Sequence, residues 1–333
     1  MSIVNESVDV SCDKIIDSGR QATVSLTPRI SLVIPCYNEE EAVPMFYEEA
    51  LKVLSVVGWQ FELIFVNDGS KDGTLKILRR LASLDSRVHY LSFSRNFGKE
   101  SAILAGLRAA RGEYIVTIDA DGQDPPALVP QMLECVASGE HDCAATRRVN
   151  RVGEPPVRSF FARGFYSLMK KITDIEIVDG ARDFRLMNKK YLDALLELPE
   201  RNRFSKGIFP WIGFRTKWFE YENIERKEGK TKWSFWKLFL YSLDGIIAFS
   251  SKPLALASVF GVLMFIAAIS STVYVVVRKL IWNDAVSGWT SMVCIILFCF
   301  GIQLFTIGVL GQYLAKIYTE VKQRPHYVVG ERG

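Results

Sequence analysis

The sequence predicts an α/β fold followed by a membrane anchor, and three observations support this prediction. Short apolar runs alternate with segments of helical periodicity from residue 30 to residue 118, the pattern of βαβ units that build a parallel sheet with helices on both faces. Polar clusters follow several of these runs, at the strand ends where open α/β sheets bind ligands. Two segments near the C-terminus, 254–277 and 292–314, contain no charged residue.

Composition excludes several classes of protein. The 333 residues are 49% hydrophobic and 23% charged, with a formal net charge of +4, so the chain lacks the low hydrophobicity and high net charge of a disordered protein. The excess of 41 Lys and Arg over 37 Asp and Glu is too small to indicate nucleic-acid binding. The six cysteines show no Cys-x-x-Cys spacing, which is typical of a reducing compartment rather than of a disulfide framework or a zinc module.

The predicted elements of the α/β domain, which we assign to 30–232, follow one another along the chain. Pro35 ends the first apolar run, and the turn-forming residues 67–70 close the second. Strands are expected at 30–34, 62–66, 88–92, 114–118 and near 143–145, and helices at 39–57, 74–84, 101–110, 129–137 and 158–172.

The first 29 residues are predicted to lie outside this fold as a flexible leader. They are polar, and Glu6, Asp9, Asp13 and Asp17 interrupt any apolar stretch. A signal peptide needs a continuous apolar core, so this segment does not predict export.

Residues 233–250 are predicted to form an amphipathic segment in the membrane interface. Aromatic residues, among them Trp233, Trp236 and Phe239, alternate there with Lys237 and Asp244, and an apolar segment follows directly. The alternative is a helix packed on the α/β domain.

Residues 251–316 are predicted to form a transmembrane hairpin with helices at 254–277 and 292–314. Each uncharged run exceeds the roughly 18 residues that a spanning helix needs, and the short connector returns the chain to its starting side. Lys252, Lys316, Lys322 and Arg324 flank the hairpin on that side, whereas Arg278 and Lys279 lie in the connector, so the excess of positive charge on the starting side is modest. The positive-inside rule therefore predicts that both termini, including a tail at 317–333, are cytoplasmic.

A divalent-cation site is predicted directly after the strand at 114–118. Asp119 and Asp121 lie one residue apart at the strand end and Gln123 adds an amide oxygen, and oxygen ligands are those that Mg²⁺ or Mn²⁺ prefers beside substrate phosphates. The alternative is an acidic turn capped by the two prolines at 125–126.

Asn67-Asp68-Gly69-Ser70 is a second candidate site. A carboxylate after a strand can accept hydrogen bonds from a base or a ribose, whereas the alternative is a simple turn built from the residues that turns favour. No Gly-x-Gly-x-x-Gly follows the first strand and no Gly-x-x-x-x-Gly-Lys-Ser/Thr occurs, so the dinucleotide and P-loop fingerprints are missing.

Three motifs in order, Pro35-Cys-Tyr-Asn-Glu39, Asn67-Asp-Gly-Ser70 and Asp119-Ala-Asp121, resemble the GT-A nucleotide-sugar domain of the family-two glycosyltransferases. The stretch 183–187 (Asp-Phe-Arg-Leu-Met), the later Arg226-x-x-Gly-x-Thr-Lys232 and the hairpin narrow the resemblance. They are similar to those of polyprenyl-phosphate glycosyltransferases, namely bactoprenol glucosyltransferases and, more distantly, dolichol-phosphate mannose synthases. The resemblance runs from residue 30 to the C-terminus.

The resemblance implies roles for individual residues. It assigns the nucleotide to Pro35, Tyr37, Glu39 and Asp68, with Asp119 contributing, and the metal and diphosphate to Asp119, Asp121 and Gln123. It assigns the acceptor or closing phosphate contacts to Arg158, Arg226 and Lys232, and Arg147 and Arg185 add positive charge. Two positions depart from the family pattern: Ala162 stands where a serine is expected, and Gly122 stands where leucine is frequent.

The expected chemistry follows from charge. A divalent ion and basic side chains would stabilise the charge that develops on the departing diphosphate, and a lipid phosphate is ionised at pH 7 and needs no strong base. In-line attack predicts inversion at the anomeric carbon. The resemblance makes Asp183 the candidate to orient or deprotonate the acceptor; the alternative is that Asp183 only positions Arg185 through a salt bridge. Several of the basic residues could instead form a solvated or headgroup-binding face.

The sequence thus predicts transfer of a hexose, with glucose from UDP-glucose as the default, to a polyprenyl phosphate. The resemblance implies an integral protein of a bacterial plasma membrane, and a homo-tetramer. A processive polysaccharide synthase is one alternative, but its usual Gln-x-x-Arg-Trp element is missing. A non-catalytic lipid-binding scaffold is the other. The sugar itself, the polyprenol length and the pathway are not determined by the residues.

Overall fold

The computed structural model describes residues 29–149, 178, 180–222, 245–247, 250–282 and 288–333. Its centre is an eight-stranded sheet of order β7-β5-β6-β4-β1-β2-β3-β8. The strands are β1 (Ile30–Cys36), β2 (Phe61–Asn67), β3 (Val88–Phe93), β4 (Tyr114–Thr117), β5 (Cys143–Arg148), β6 (Ala181–Asn188), β7 (Thr216–Tyr221) and β8 (Val329–Arg332). The helices are α1 (Ala42–Val57), α2 (Thr74–Leu84), α3 (Lys99–Ala109), α4 (Val129–Ala137), α5 (Lys189–Glu197), α6 (Ser205–Trp211), α7 (Lys252–Trp282) and α8 (Trp289–Lys322).

The first four strands form the parallel half of the sheet. β1 pairs in parallel with both β2 and β4, and β2 pairs in parallel with β3. Every residue of β2 is buried, because helices cover both faces, which explains its continuous apolar run. Two apolar clusters result, one on each face: Phe65 belongs to the first, and Val66 to the second.

The second half of the sheet is mixed. β6 runs antiparallel to β4 and to β5, whereas β7 runs parallel to β5. β8 is the outermost strand beyond β3 and runs antiparallel to it. Because β6 runs antiparallel to β4, β6 begins at the edge of the sheet where β1, β2 and β4 end.

Helix α3 lies unusually close to the sheet. A Cβ atom on Gly106 would come within 2.2 Å of the Val33 Cγ1 atom and 3.2 Å of the Val66 Cγ2 atom. Only glycine permits this approach without a shift, so Gly106 sets the depth at which α3 packs on β1 and β2.

Two helices follow the sheet domain that are long and apolar enough to cross a membrane. Their spanning segments are Lys252–Arg278, with a mean hydropathy of 2.3, and Met292–Lys322, with a mean hydropathy of 2.6. Their large apolar side chains are exposed along most of their length, which is the surface that a bilayer covers.

The C-terminal end of α8 contacts the sheet domain. The Glu320 Oε1 atom accepts hydrogen bonds from the amides of Arg201 and Asn202 at 2.8 and 3.1 Å, and the Lys316 Nζ atom donates to the Asn202 Oδ1 atom at 3.2 Å. The chain then leads into β8, and the Tyr327 ring, two residues before that strand, stacks on Phe93 with centroids 4.9 Å apart.

The predicted α/β architecture and the two apolar helices are confirmed. The four parallel strands and helices α1 to α4 lie within a few residues of their predicted bounds. The segment 317–333, expected as a tail, differs, because it completes α8 and ends in β8. Three predicted segments lie wholly or largely outside the described residues: the leader at 1–29 except its last residue, the helix at 158–172 and most of the amphipathic segment at 233–250.

Candidate active site

The candidate site lies at the edge of the sheet where β1, β2 and β4 end. Parallel strands bring the loops that follow them to one edge, and this groups the loops at 37–41, 68–73 and 118–125. The β5 residue Arg147 pairs with Ala181 at the start of β6. β5 thus ends, and β6 begins, at the same edge.

The loops after β1 and β2 are joined by hydrogen bonds. The Asn38 amide donates to the Ser70 Oγ atom at 2.9 Å, and the Lys71 amide donates to the Asn38 Oδ1 atom at 2.8 Å. The Glu39 amide donates to the Thr74 Oγ1 atom at 2.9 Å. Asn38 has a φ of 54°, a left-handed conformation that asparagine tolerates better than most residues. These bonds hold Tyr37, 36% exposed, at the rim.

Asp68 is 3% exposed, and its carboxylate organises the loop that precedes α3. Its Oδ1 atom accepts from the Phe97 amide at 2.6 Å, and its Oδ2 atom accepts from the Gly98 amide at 2.9 Å. Burial raises the pKa of Asp68, and these two amides oppose that rise. The contact with a nucleotide expected for Asp68 stays a prediction.

The acidic loop after β4 carries the three predicted metal ligands. The Asp121 Oδ1 atom accepts from the Gln123 amide at 3.1 Å, and the Gln123 Oε1 atom accepts from the Arg148 Nη2 atom at 3.0 Å. The Asp119 Oδ2 atom accepts from the Lys99 Nζ atom at 2.7 Å. The loop thus presents two carboxylates and the side-chain amide oxygen of Gln123. The Lys99 ammonium lies at Asp119, and the Arg148 guanidinium lies at Gln123.

Asp183 meets the acidic loop from β6. Its Oδ2 atom accepts from the Lys99 Nζ atom at 2.6 Å, so one ammonium group links Asp119 and Asp183. Burial raises the pKa of Asp183, but the positive charges of Lys99 and Lys206 outweigh burial and hold that pKa well below its usual range. Asp183 is therefore ionised at neutral pH.

Asp124 anchors the far end of the acidic loop. Its Oδ1 atom accepts from the Arg182 Nε atom at 3.0 Å and from the Tyr221 hydroxyl. Its Oδ2 atom is buried and has no hydrogen-bond partner within the described ranges. Burial and the neighbouring charge of Asp124 raise the pKa of Tyr221 to about 12, so this hydroxyl stays a donor at neutral pH.

The donor set fits a hard divalent cation. Among the residues that the structure describes, no group of three or more His, Cys, Asp and Glu side chains is placed to hold a metal ion. Mg²⁺ and Mn²⁺ sites commonly use one or two carboxylates and complete their shell with water and substrate phosphates. The carboxylates of Asp119 and Asp121, with the side-chain amide oxygen of Gln123, match that type of site.

Two of the predicted basic residues, Arg185 and Arg147, are held by other groups of the protein. Arg185 is 2% exposed, and its guanidinium stacks on Phe209 at 4.1 Å and on Trp218 at 5.5 Å from the ring centroids. Its guanidinium also lies beside the Cys143 thiol and the Tyr191 hydroxyl, and this buried position does not support the predicted phosphate contact. The alternative in which Asp183 only positions Arg185 is not what the structure shows, because Asp183 pairs with Lys99. Arg147 forms an ion pair with Glu220 across β5 and β7.

The remaining predicted acceptor contacts, Arg158, Arg226 and Lys232, lie outside the described residues.

Pro35 is in β1, one residue before the strand ends at Cys36. Burial and the negative charges of Glu39 and Asp119 raise the pKa of the Cys36 thiol well above its usual value.

Sequence reasoning missed residues that the structure brings into the site. They are Lys99, Glu100, Asp124, Arg182 and Tyr221. Lys99 could have been found from the sequence. It is the first residue of the helix that follows β3, the third parallel strand along the chain, and the carboxyl ends of the parallel strands were expected at the site. Arg182 and Tyr221 belong to strands that the apolar pattern did not predict.

The comparisons with known proteins agree with this architecture. The family described as Glycosyl transferase family 2 matches residues 31–196. The chain is 41% identical over 302 residues to the putative glycosyltransferase CsbB of Bacillus subtilis, covering 91% of each chain. It is 40% identical over 301 residues to the prophage bactoprenol glucosyl transferase homolog of Escherichia coli, covering 90% of this chain and 98% of that one.

A third relative is the bactoprenol glucosyl transferase of Shigella phage SfII, 41% identical over 303 residues, covering 90% of this chain and 97% of the relative. A solved structure of glucosyl-3-phosphoglycerate synthase from Mycobacterium tuberculosis, with Mn²⁺, UDP and phosphoglyceric acid, matches with a TM-score of 0.47 at 19% identity. It covers 66% of this chain and 76% of that one, a likeness too low to transfer a ligand. Identity of about 40% over nine-tenths of the chain is decisive: the chain is a glycosyltransferase and belongs to glycosyl transferase family 2.

Proposed function

We propose that this glycosyltransferase transfers glucose from UDP-glucose to the phosphate of a polyprenyl phosphate at the cytosolic face of a bacterial plasma membrane. The names of the relatives, bactoprenol glucosyl transferases at about 40% identity, support the acceptor and the sugar. One structural observation carries the proposal. The acidic loop and Asp183 lie at the edge of a sheet domain that is bonded directly to the end of a membrane-length helix.

Asp119, Asp121 and Gln123 would hold Mg²⁺ or Mn²⁺. When bound, the ion would neutralise the charge that develops on the departing diphosphate. The protein's own contribution is to fix these oxygens. Asp124 secures the loop end through Arg182 and the Tyr221 hydroxyl, so the ligand positions are set before any substrate arrives.

The loops after β1 and β2 would hold the nucleotide. Their mutual hydrogen bonds fix Asn38 and Ser70, and Tyr37 and Glu39 flank that junction at the rim. Pro35 and Asp68 stay predicted contributors, with Asp68 shaping the loop at 97–98 from beneath.

The acceptor phosphate is ionised at neutral pH, so the transfer needs no strong general base. We assign Asp183 the task of holding Lys99 beside Asp119, since both bonds to the ammonium are short. Direct attack of the phosphate oxygen on the anomeric carbon would invert its configuration. Arg158, Arg226 and Lys232 stay predicted phosphate contacts, and a homo-tetramer also stays a prediction.

The membrane anchor explains how the site reaches its acceptor. A polyprenyl phosphate keeps its phosphate at the headgroup level, and α8 ends against the loop at 201–202 and continues into β8. The sheet domain and the end of α8 therefore lie on one side of the bilayer. We place that side in the cytoplasm, following the lysines that flank the hairpin.

The test is transfer of radiolabel from UDP-glucose into the organic phase by the purified full chain with undecaprenyl phosphate and Mg²⁺ or Mn²⁺. The rate of Asp121→Ala should be at least about 100-fold lower, because the variant lacks a ligand of the ion that would balance the diphosphate charge. EDTA should abolish transfer. Asp193→Ala, which removes an exposed carboxylate paired with Lys189 on α5, is the matched control and should retain the wild-type rate.

Label in the lipid phase that needs the metal and Asp121 supports the proposal. Label from GDP-mannose or another donor, with none from UDP-glucose, would correct the sugar and keep the acceptor. Failure with every donor would favour a non-catalytic lipid-binding scaffold.

A further inference from the structure

Lys99 is the cation at the centre of an acidic cluster formed by Asp119 and Asp183. Its Nζ atom lies 2.7 Å from the Asp119 Oδ2 atom and 2.6 Å from the Asp183 Oδ2 atom. The side chain as a whole is 44% exposed, so part of it borders solvent. Arg182 is farther from Asp119, at 3.9 Å.

The backbone on both sides of Lys99 is fixed. The preceding residue, Gly98, has a φ of 95° and donates its amide to the Asp68 carboxylate. The next residue, Glu100, accepts a hydrogen bond from the Ser205 amide at 3.1 Å. Two separate anchors therefore point the first residue of α3 at the acidic loop.

We propose that Lys99 is a positioning residue that holds Asp119 and Asp183 together before the substrates bind, and that it competes with the divalent cation for Asp119. The inference rests on the proposed function, because it takes Asp119 as a metal ligand. An ammonium group 2.7 Å from the Asp119 Oδ2 atom occupies one approach to that oxygen, and its positive charge repels a divalent ion that binds the same carboxylate. The metal therefore binds Asp119 against this repulsion, or it displaces the lysine side chain.

This competition has a consequence for affinity. Removing the ammonium removes a positive charge within contact distance of a ligand oxygen, so the metal no longer displaces it and no longer meets its repulsion. Neutral substitutions of Lys99 should tighten metal binding about tenfold. A residue with a purely structural role would leave metal affinity unchanged or weaken it.

The experiment is a titration of Mn²⁺, followed by the EPR signal of the free ion, on the full chain in detergent without nucleotide. The variants are Lys99→Met and Lys99→Gln, of which the second retains hydrogen-bonding capacity and guards against loss of folding. Both should bind Mn²⁺ about tenfold more tightly than the wild type, whereas Lys99→Arg, which keeps the charge, should bind it as the wild type does. Lys52→Met, an exposed lysine on α1, controls for net charge and should change nothing.

Asp121→Asn separates the two claims. If the wild type binds Mn²⁺ and this variant does not, the metal site of the proposed function stands. Unchanged or weakened binding by folded Lys99→Met and Lys99→Gln would then overturn the role of Lys99 alone. If the wild type itself binds no Mn²⁺ at millimolar concentrations, the metal site fails and the Lys99 inference fails with it.

Discussion

Glu100 shows how one buried carboxyl couples the site to pH. Burial, with the negative charge of Asp183, raises the pKa of Glu100 to about 7, and the hydrogen bonds from Ser205 only partly offset this. In the unfolded chain the same carboxyl titrates near its usual value of about 4.3. Between these two values the folded protein binds more protons than the unfolded chain, so the contribution of Glu100 to stability falls as pH rises.

Glu100→Gln should remove that dependence. We expect the Tm of the wild type, measured in detergent, to fall more steeply from pH 5 to pH 7.5 than the Tm of this variant. The Gln side chain can still accept from the Ser205 amide, so the variant tests the charge rather than the contact. Parallel profiles of Tm against pH would contradict the assignment. The exposed Glu134→Gln on α4 is the control and should follow the wild type.

The acidic loop was predictable from the sequence because its residues are adjacent in the chain. Asp119, Asp121 and Gln123 follow one strand, and a strand end has one location. Lys99 and Arg182 reach the same loop from different elements, and their contacts depend on tertiary packing. Arg185 shows a second limit of prediction from sequence. It belongs to a charged motif, yet its guanidinium stacks on two aromatic rings in the interior.

At the scale of elements, the sequence pattern worked where strands are buried on both faces. β1 and β2 are continuous apolar runs, whereas β6 contains Arg182, Asp183 and Arg185 and shows no such run. β8 is a four-residue edge strand with two charged residues. Its place in the sheet depends on pairing with β3, which a local pattern cannot reveal.

Helix α3 is the element that presents Lys99, and its packing depends on Gly106. Gly106→Ala should destabilise the domain by about 2 kcal/mol, because the added Cβ atom would lie 2.2 Å from the Val33 Cγ1 atom and the sheet would have to move. Thermal unfolding measures the loss. Gly261→Ala, on α7 with nothing within 4 Å of an added Cβ atom, is the matched control. Equal Tm values for the two variants would contradict the close packing of α3.

Strand β8 should protect β3 from exchange with solvent. Removing residues 325–333 eliminates the β3–β8 ladder, the Glu331 bonds to Arg79 and Tyr90, and the stacking of Tyr327 on Phe93. Hydrogen–deuterium exchange at 88–93 should then rise about tenfold or more, because an edge strand loses its partner. Exchange equal to that of the full chain would show that the last residues form a tail and not a strand.

At the scale of the whole molecule, the sheet domain and the anchor are joined by hydrogen bonds at the end of α8. α8 bonds to the loop at 201–202 through Glu320, and α6 begins three residues later at Ser205, which binds Glu100 beside Lys99. The short stretch of chain from Asn202 to Ser205 thus connects the hydrogen bonds at the end of a membrane-length helix with the hydrogen bond beside Lys99. Under the proposed function, this arrangement would fix the depth of the site relative to the bilayer.

Glu320→Ala should loosen this connection. The amides of Arg201 and Asn202 would lose their acceptor, and we expect the KM for a polyprenyl phosphate in nanodiscs to rise about threefold or more while the affinity for UDP-glucose stays unchanged. A change in the affinity for the nucleotide sugar, with no change in the KM for the lipid, would contradict the positioning role of α8.

The central claim is that this family-two glycosyltransferase adds one sugar to a lipid phosphate. The most direct measurement is mass spectrometry of the lipid extract after the full chain has been incubated with undecaprenyl phosphate, UDP-glucose and Mg²⁺. The account predicts a single new species, one hexose heavier than the acceptor, which is missing with Asp121→Ala. A ladder of species with successive hexoses would indicate a processive synthase, and an unmodified acceptor with every nucleotide sugar would contradict the claim.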